Sequence, residues 1–159
     1  MKTNAGERPR IQRIQGCIQI PYNISQVENG YEYDLLRIED TGQVIDLDFA
    51  KIYQKKILKQ AAQNAIAEGV LTTSGVRYDC DSEDRSNMVA SVMMMQLANL
   101  NEIVFIDYYN QSQTLTLEGM IGVGLQAGAY YQSLLYKKNQ LYADVDTKNT
   151  IDDVLNVTW

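Results

Sequence analysis

Histidine is missing from the 159-residue sequence altogether. Its absence removes Ser-His-Asp and Cys-His catalysis, the HExxH zinc site and the usual general base near neutral pH. An enzyme built on this chain would have to work with carboxylates. Cysteine occurs only as Cys17 and Cys80, without CxxC spacing, so free thiols in a reducing compartment are expected. No apolar run approaches the ~20 residues of a membrane span, and no signal-peptide pattern opens the chain. P-loop, zinc and nucleophile-elbow patterns are also missing, and no cofactor is implied.

What is present describes a folded protein. The chain is 45% hydrophobic and 21% charged, which excludes a disordered class. A net charge of −6 argues against a general nucleic-acid binder. Its only basic concentration, Lys2, Arg8, Arg10 and Arg13 against Glu7, reads as a solvated tail. Tyrosine is abundant, with 11 copies, and tyrosine-rich surfaces suit protein contacts that keep one polar edge wet. Tyr31, Tyr33, Tyr130, Tyr131 and Tyr136 are the candidate partner contacts.

Residues 11–48 read as a small antiparallel β meander. In RIQGCIQIPYNI the isoleucines alternate with glutamine, and Pro21 should end the run or confine it to an edge. Asn29-Gly30 predicts a two-residue type I′ hairpin turn, since both central positions need φ > 0. Tyr31, Tyr33 and Leu35 then share a face, and Thr41-Gly42 turns into a further strand, QVIDLDF. Residues 49–68 predict an amphipathic helix: Phe49, Tyr53, Ile57, Ala61 and Ala65 recur every four residues, flanked by Ile52, Leu58 and Ile66. Lys51, Lys55 and Lys59 form a second stripe, read as a solvated face. Gly69 is placed as the C′ glycine that ends the helix.

Beyond it the spacing predicts a turn at Ser74-Gly75, a strand over 76–79 and a helix over 82–100. Met88, Val92 and Met95 form one strip of that helix and Val89, Met93 and Leu97 the next. The Met93-Met94-Met95 cluster could serve as an adaptable binding surface, with core filling the favoured reading. A hairpin follows, EIVFIDYY and TLTL about an NQSQ turn, and then a long helix from Glu118 to about Asp144. Val123, Ala127, Tyr130, Leu134 and Leu141 line its apolar stripe. Gly119, Gly122, Gly124 and Gly128 should weaken it by ~1 kcal/mol each, and close packing against a neighbour is the expected reason for them. Thr150 and Asp153 resemble a capping box for a last short helix.

The stretch GVRYDCDSEDRS at 75–86 starts like a calcium loop, with Asp79, Asp81 and Glu83 at positions 1, 3 and 5. Position 6 needs glycine and is Asp84, and position 12 needs glutamate and is Ala90. A helix start explains the acids better. Asp81 or Ser82 would cap orphan N–H groups, and Glu83 and Asp84 would sit in a first turn that favours negative charge. GVGLQA at 122–127 fits a dinucleotide fingerprint but falls inside a helical pattern. Glu102 and Asp107, at odd spacing on a strand, face opposite ways and make a poor acid/base pair.

Residues 70–159 resemble a C-terminal domain of unknown function that recurs in tail-fibre and tail-fibre-assembly-type proteins of tailed bacteriophages. Gly75, Tyr78 and Asp79 match its strand, and Asp81, Ser82, Ser86 and Met88 its acid-rich helix start. Thr114, Leu115, Thr116 and Glu118 match its hairpin-to-helix step, and Ile151, Leu155 and Trp159 its end. The expected architecture is α+β: a β-rich docking region (1–48), a connecting amphipathic helix (49–69) and a helix–β-hairpin–helix domain (70–159). The resemblance implies a non-enzymatic component of a phage tail or baseplate, such as a fibre adaptor, present in several symmetry-related copies. It would be assembled in the host cytoplasm and reside in the virion tail, with other tail proteins as partners and neither nucleic acid nor membrane. The alternatives are a tail-fibre assembly chaperone and a small carboxylate-dependent wall hydrolase.

Overall fold

The computed structural model describes residues 3–159 and has the expected α+β architecture. In chain order the elements are β1 (Thr3–Ala5), β2 (Gln12–Ile14), β3 (Cys17–Val27), β4 (Gly30–Glu39), α1 (Leu47–Ala67), β5 (Val70–Leu71), β6 (Arg77–Tyr78), α2 (Ser82–Ala98), β7 (Glu102–Ile106), β8 (Ser112–Thr116), α3 (Leu117–Thr147) and α4 (Ile151–Leu155). The chain forms two compact units. One takes the sequence up to Gln60 together with Lys138–Trp159, and the other is Ala61–Lys137. The boundaries fall inside α1 and α3.

The first unit holds an antiparallel four-stranded sheet in the order β1-β4-β3-β2. Its central hairpin turns one residue earlier than Asn29-Gly30 suggests. Val27 pairs with Gly30, which leaves Glu28 and Asn29 as the loop. Gly30 is required by a neighbour instead: at φ +138° a Cβ there would lie 2.1 Å from the Ala5 carbonyl oxygen of β1. A further turn, at Gln15 and Gly16, interrupts the stretch RIQGCIQIPYNI. Both have positive φ, and Ile14 pairs with Cys17 across them, as a type I′ turn demands. Pro21 sits inside β3, opposite Leu35, but β2 has ended by Gln19. The proline thus falls where β3 has lost a neighbour on that side, as its missing N–H favours.

QVIDLDF forms no strand. The Asp40 and Gln43 side chains close the Thr41-Gly42 turn, and the Asp46 carboxylate then accepts the Phe49 N–H at 2.9 Å at the start of α1. The deepest face of α1 is Ala50, Gln54, Leu58 and Ala62, while Ile52 is exposed. Gln54, the polar residue on this buried face, donates its Nε2 to the Val157 carbonyl. Lys51 and Lys55 are tied to Asp146 through its carbonyl and carboxylate, so of the expected lysine stripe only Lys59 remains exposed. The basic N-terminal segment is likewise engaged. Arg8 reaches Asp152 and Asn156, and Arg13 pairs with Asp40 and the Gln43 carbonyl. Lys2 lies outside the described residues.

Ile18, Ile20, Phe49 and Leu155 make one core of this unit, and Ala50, Leu58, Val145, Val154 and Val157 another. α4 is anchored between them: Thr150 Oγ1 accepts the Asp153 N–H and donates to its carboxylate. Trp159 packs at the border of the second cluster.

The second unit is built on Val70, Tyr78, Cys80, Met88, Met95, Met120, Val123 and Ala127. The Thr72–Gly75 turn joins β5 to β6, α2 follows, and the β7–β8 hairpin leads straight into α3. Of the helical glycines only Gly119 shows the expected close packing, since a Cβ there would stand 3.3 Å from Thr116 Oγ1 and 3.8 Å from Leu115 Cδ2. A Cβ at Gly122 or Gly128 meets nothing within 4 Å, and one at Gly124 only the Met88 Cβ at 3.9 Å.

Candidate interaction surface

The acid-rich stretch at 75–86 organises the start of this surface. Arg77 and Tyr78 pair with Leu71 and Val70, which sends Tyr78 into the core and leaves Asp79 exposed. Asp81 is the N-cap of α2: its Oδ1 accepts the N–H groups of Glu83 at 2.7 Å and Asp84 at 3.0 Å. These donors, Asp84 first, hold its carboxyl below the usual range. Burial raises that of Asp84, as do the charges of Asp81 and Asp79. Arg85 Nε donates back to the Cys80 and Asp81 carbonyls, and its guanidinium lies 3.5 Å from the Tyr131 ring centroid. Cys80 itself is buried, and burial raises its thiol pKa above the ordinary value. Among the described residues, no three His, Cys, Asp or Glu side chains come together as a metal-binding group.

Asp81 gives this helix start a measurable signature. A carboxyl whose folded pKa is lowered adds stability that is present above its unfolded pKa and lost as pH falls through the folded value. Asp81→Ala should therefore cost ~1 kcal/mol at neutral pH, the usual worth of an N-cap. It should also flatten the acid limb of the stability profile, as read by urea denaturation across the range. Equal pH profiles for the two proteins would refute the cap's contribution.

The loop between β7 and β8 is organised by one buried carboxylate. Asp107 Oδ1 accepts the Tyr109 and Gln111 N–H groups at 2.9 Å, and Oδ2 accepts the Gln113 side-chain amide at 2.8 Å. The Gln111 N–H leads in holding its pKa below the usual value. The turn is thus centred on Asp107–Gln111, ahead of the expected NQSQ.

α2 and β7 differ most from the sequence expectation in what they expose. Met88 and Met95 are buried, but the adjoining strip is open, with Val89 59%, Met93 55% and Leu97 83% exposed. Met94 is exposed beside them, and Val104 and Ile106 are exposed on the outer face of the hairpin. Core filling therefore holds for Met95 and fails for Met93 and Met94. Between α2 and β7 lies a cleft of about 580 Å³, bordered by Met94, Val104 and Ile106 and by Asp79, Asp84 and Asp107.

The tyrosines expected to meet partners are placed unequally. Tyr31 and Tyr33 are half-buried in β4 opposite Ala5 and Thr3. Tyr130 packs on the core and donates its hydroxyl to the Ala65 carbonyl. Tyr131 is half-buried under Arg85, and Tyr136 is 66% exposed. Exposed Tyr109, on the hairpin loop, was missed because its neighbours read as strand. GVGLQA lies wholly within α3, with no strand immediately before it to make a dinucleotide turn.

This is an α+β chain whose Ala61–Lys137 unit carries an open cleft where Met94, Val104, Phe105 and Ile106 meet carboxylates and other polar side chains. It belongs to the family described as a domain of unknown function (DUF4376), whose model matches residues 50–158, from within α1 to the penultimate residue. No curated protein and no solved structure matches the chain.

Proposed function

We propose that this protein is a non-enzymatic structural component of a tailed-bacteriophage tail or baseplate, acting as a fibre adaptor or attachment protein. The observation that carries a binding role is the cleft where exposed Met94 of α2 borders the same space as exposed Val104 and Ile106 of β7. A clustered apolar surface of this kind on a folded chain marks a place for another molecule. The phage setting is supported by the order and spacing of Gly75, Tyr78, Asp79, Asp81, Ser82, Ser86 and Met88 with the Thr114–Glu118 step and Trp159. No helix among the described residues is long and apolar enough to cross a membrane, and the proposed partners are neighbouring tail proteins in symmetry-related copies.

Mass spectrometry of purified virions tests the reading. The protein is expected in the finished particle at a stoichiometry that matches a tail symmetry. Absence from virions, with the chain bound to fibre protein in infected cells, would transfer the role to an assembly chaperone. Peptidoglycan cleavage that disappears on changing one carboxylate in a still-folded protein would overturn both.

A further inference from the structure

The cleft between α2 and β7 has the form of a strand-addition site. β7 and β8 make a two-stranded sheet, so over Glu102–Ile106 β7 has a strand on one side only among the described residues. Just beyond it, the Tyr108 N–H donates to the Arg77 carbonyl of β6 at 2.9 Å, which leaves Val104–Ile106 as the open stretch of that edge. Three consecutive β7 residues, Val104, Phe105 and Ile106, border the cleft. A strand's faces show alternate residues, whereas consecutive residues are met along its edge. The opposite wall is α2, through Ala90, Ser91 and Met94. An exposed strand edge with apolar side chains is a template for pairing, and folded proteins normally cover or charge it. Here the edge is not charged along Val104–Ile106, and α2 faces it only across the cleft.

Charge gives the groove a direction. α2 joins β7 through a short turn at Asn99, whose αL conformation closes the helix, so the two elements run back along each other. Asp84 and Asn87 therefore lie toward the Asp107 end and Met94 toward Val104. Asp79, Asp84 and Asp107 all border the cleft, and no lysine or arginine is among its described lining residues. Arg85, the nearest cation in sequence, is held on Tyr131. Asp107 is satisfied by the donors of its own loop, so an occupant that extends the sheet over Val104 and Ile106 meets the carboxylates of Asp79 and Asp84 at one end.

We propose that this cleft takes an extended segment of a partner protein as a third strand on β7. The segment is apolar at alternate positions and carries lysine or arginine where it passes Asp79 and Asp84. Main-chain hydrogen bonds to β7 would supply affinity, and the alternate side chains and basic end would supply selectivity, as in other strand-addition complexes. The inference concerns partner chemistry and stands whether or not the chain is retained in a virion.

Selection of a random short-peptide library on the immobilised full chain, followed by fluorescence anisotropy of the selected peptides, tests it. Selected peptides should alternate apolar and polar residues and be basic toward one end. Affinity should fall about tenfold with Asp79→Lys, the scale of one reversed rim charge. Saturable binding should vanish with Val104→Asp and with Met94→Glu, an exposed helix position that keeps the test valid if the strand variant misfolds. β7 amides should gain hydrogen-exchange protection when peptide binds. Acidic or helix-periodic selected peptides, no enrichment over the blank support, or binding indifferent to both cleft variants would overturn the proposal. So would a dimer of the free protein that Val104→Asp dissociates, which would give the edge to a second copy.

Discussion

Gly69→Ala is expected to destabilise the Ala61–Lys137 unit by about 3 kcal/mol, from left-handed backbone strain of ~1–2 kcal/mol plus overpacking of similar size. Gly69 has φ +67° just past the end of α1, where its N–H reaches the Ile66 carbonyl at 3.0 Å. A Cβ there would stand 2.5 Å from the Tyr78 carbonyl oxygen and 2.9 Å from Tyr108 Cδ2. The tyrosine ring could swing aside, but the oxygen belongs to β6, whose Tyr78 is fixed by the core and by pairing with Val70. Gly30 differs, because the backbone a methyl would strike belongs to the three-residue edge strand β1, which has more freedom to shift. The opposite sign is expected in α3. Gly122→Ala and Gly128→Ala meet open space and should each stabilise by ~0.5–1 kcal/mol, the helical cost of glycine relative to alanine. Urea denaturation followed by far-UV circular dichroism measures all three, and a Gly69 variant as stable as the parent would contradict the geometry.

That contrast shows what the sequence could and could not disclose. Gly69 was legible because a glycine after a periodic apolar run has a local reason to end a helix. Gly122, Gly124 and Gly128 were misread because only the neighbouring atoms decide whether a missing Cβ makes room for something, and at these three nothing crowds in, whereas Gly119 does face Thr116 Oγ1. Helix positions followed from periodicity and caps: α2 begins at Ser82 behind Asp81, and α4 behind Thr150. Strand ends were harder. Pro21 and the Gln15–Gly16 turn depend on where β2 stops and which side of β3 it covers, a relation between strands that no single run of residues contains. The candidate surface was the least legible. Val89, Met93 and Leu97 have the spacing of a core stripe, and only the fold shows that Met88 and Met95 take the core instead. Gln54 is the converse, a polar residue at a buried helical position whose partner, the Val157 carbonyl, lies 103 residues away in sequence.

Tyr78→Ala should cost ~3–5 kcal/mol, the range for deleting a buried aromatic side chain, and carries the largest expected loss. Tyr78 is 1% exposed, lies in one cluster with Val70, Met88, Met95, Met120 and Val123, and sets its ring 6.1 Å from that of Phe105 at a 50° tilt. Truncation would open a cavity where β6, α2 and α3 meet the hairpin, and residues drawn from four separate elements cannot close it by one small shift. Tyr78→Phe separates the ring from its hydroxyl. Burial, with Asp107 adding to it, raises the phenol pKa in the folded state. The neutral phenol is therefore favoured by folding, and the associated stability is present below the unfolded pKa of about 10 and lost as pH rises through the folded value. The phenylalanine variant should keep most of the stability at neutral pH and show a shallower alkaline decline than the parent. Denaturation at neutral and alkaline pH distinguishes the two contributions: a Phe variant as damaged as the Ala variant would mean that the hydroxyl, not the packed ring, holds this core together.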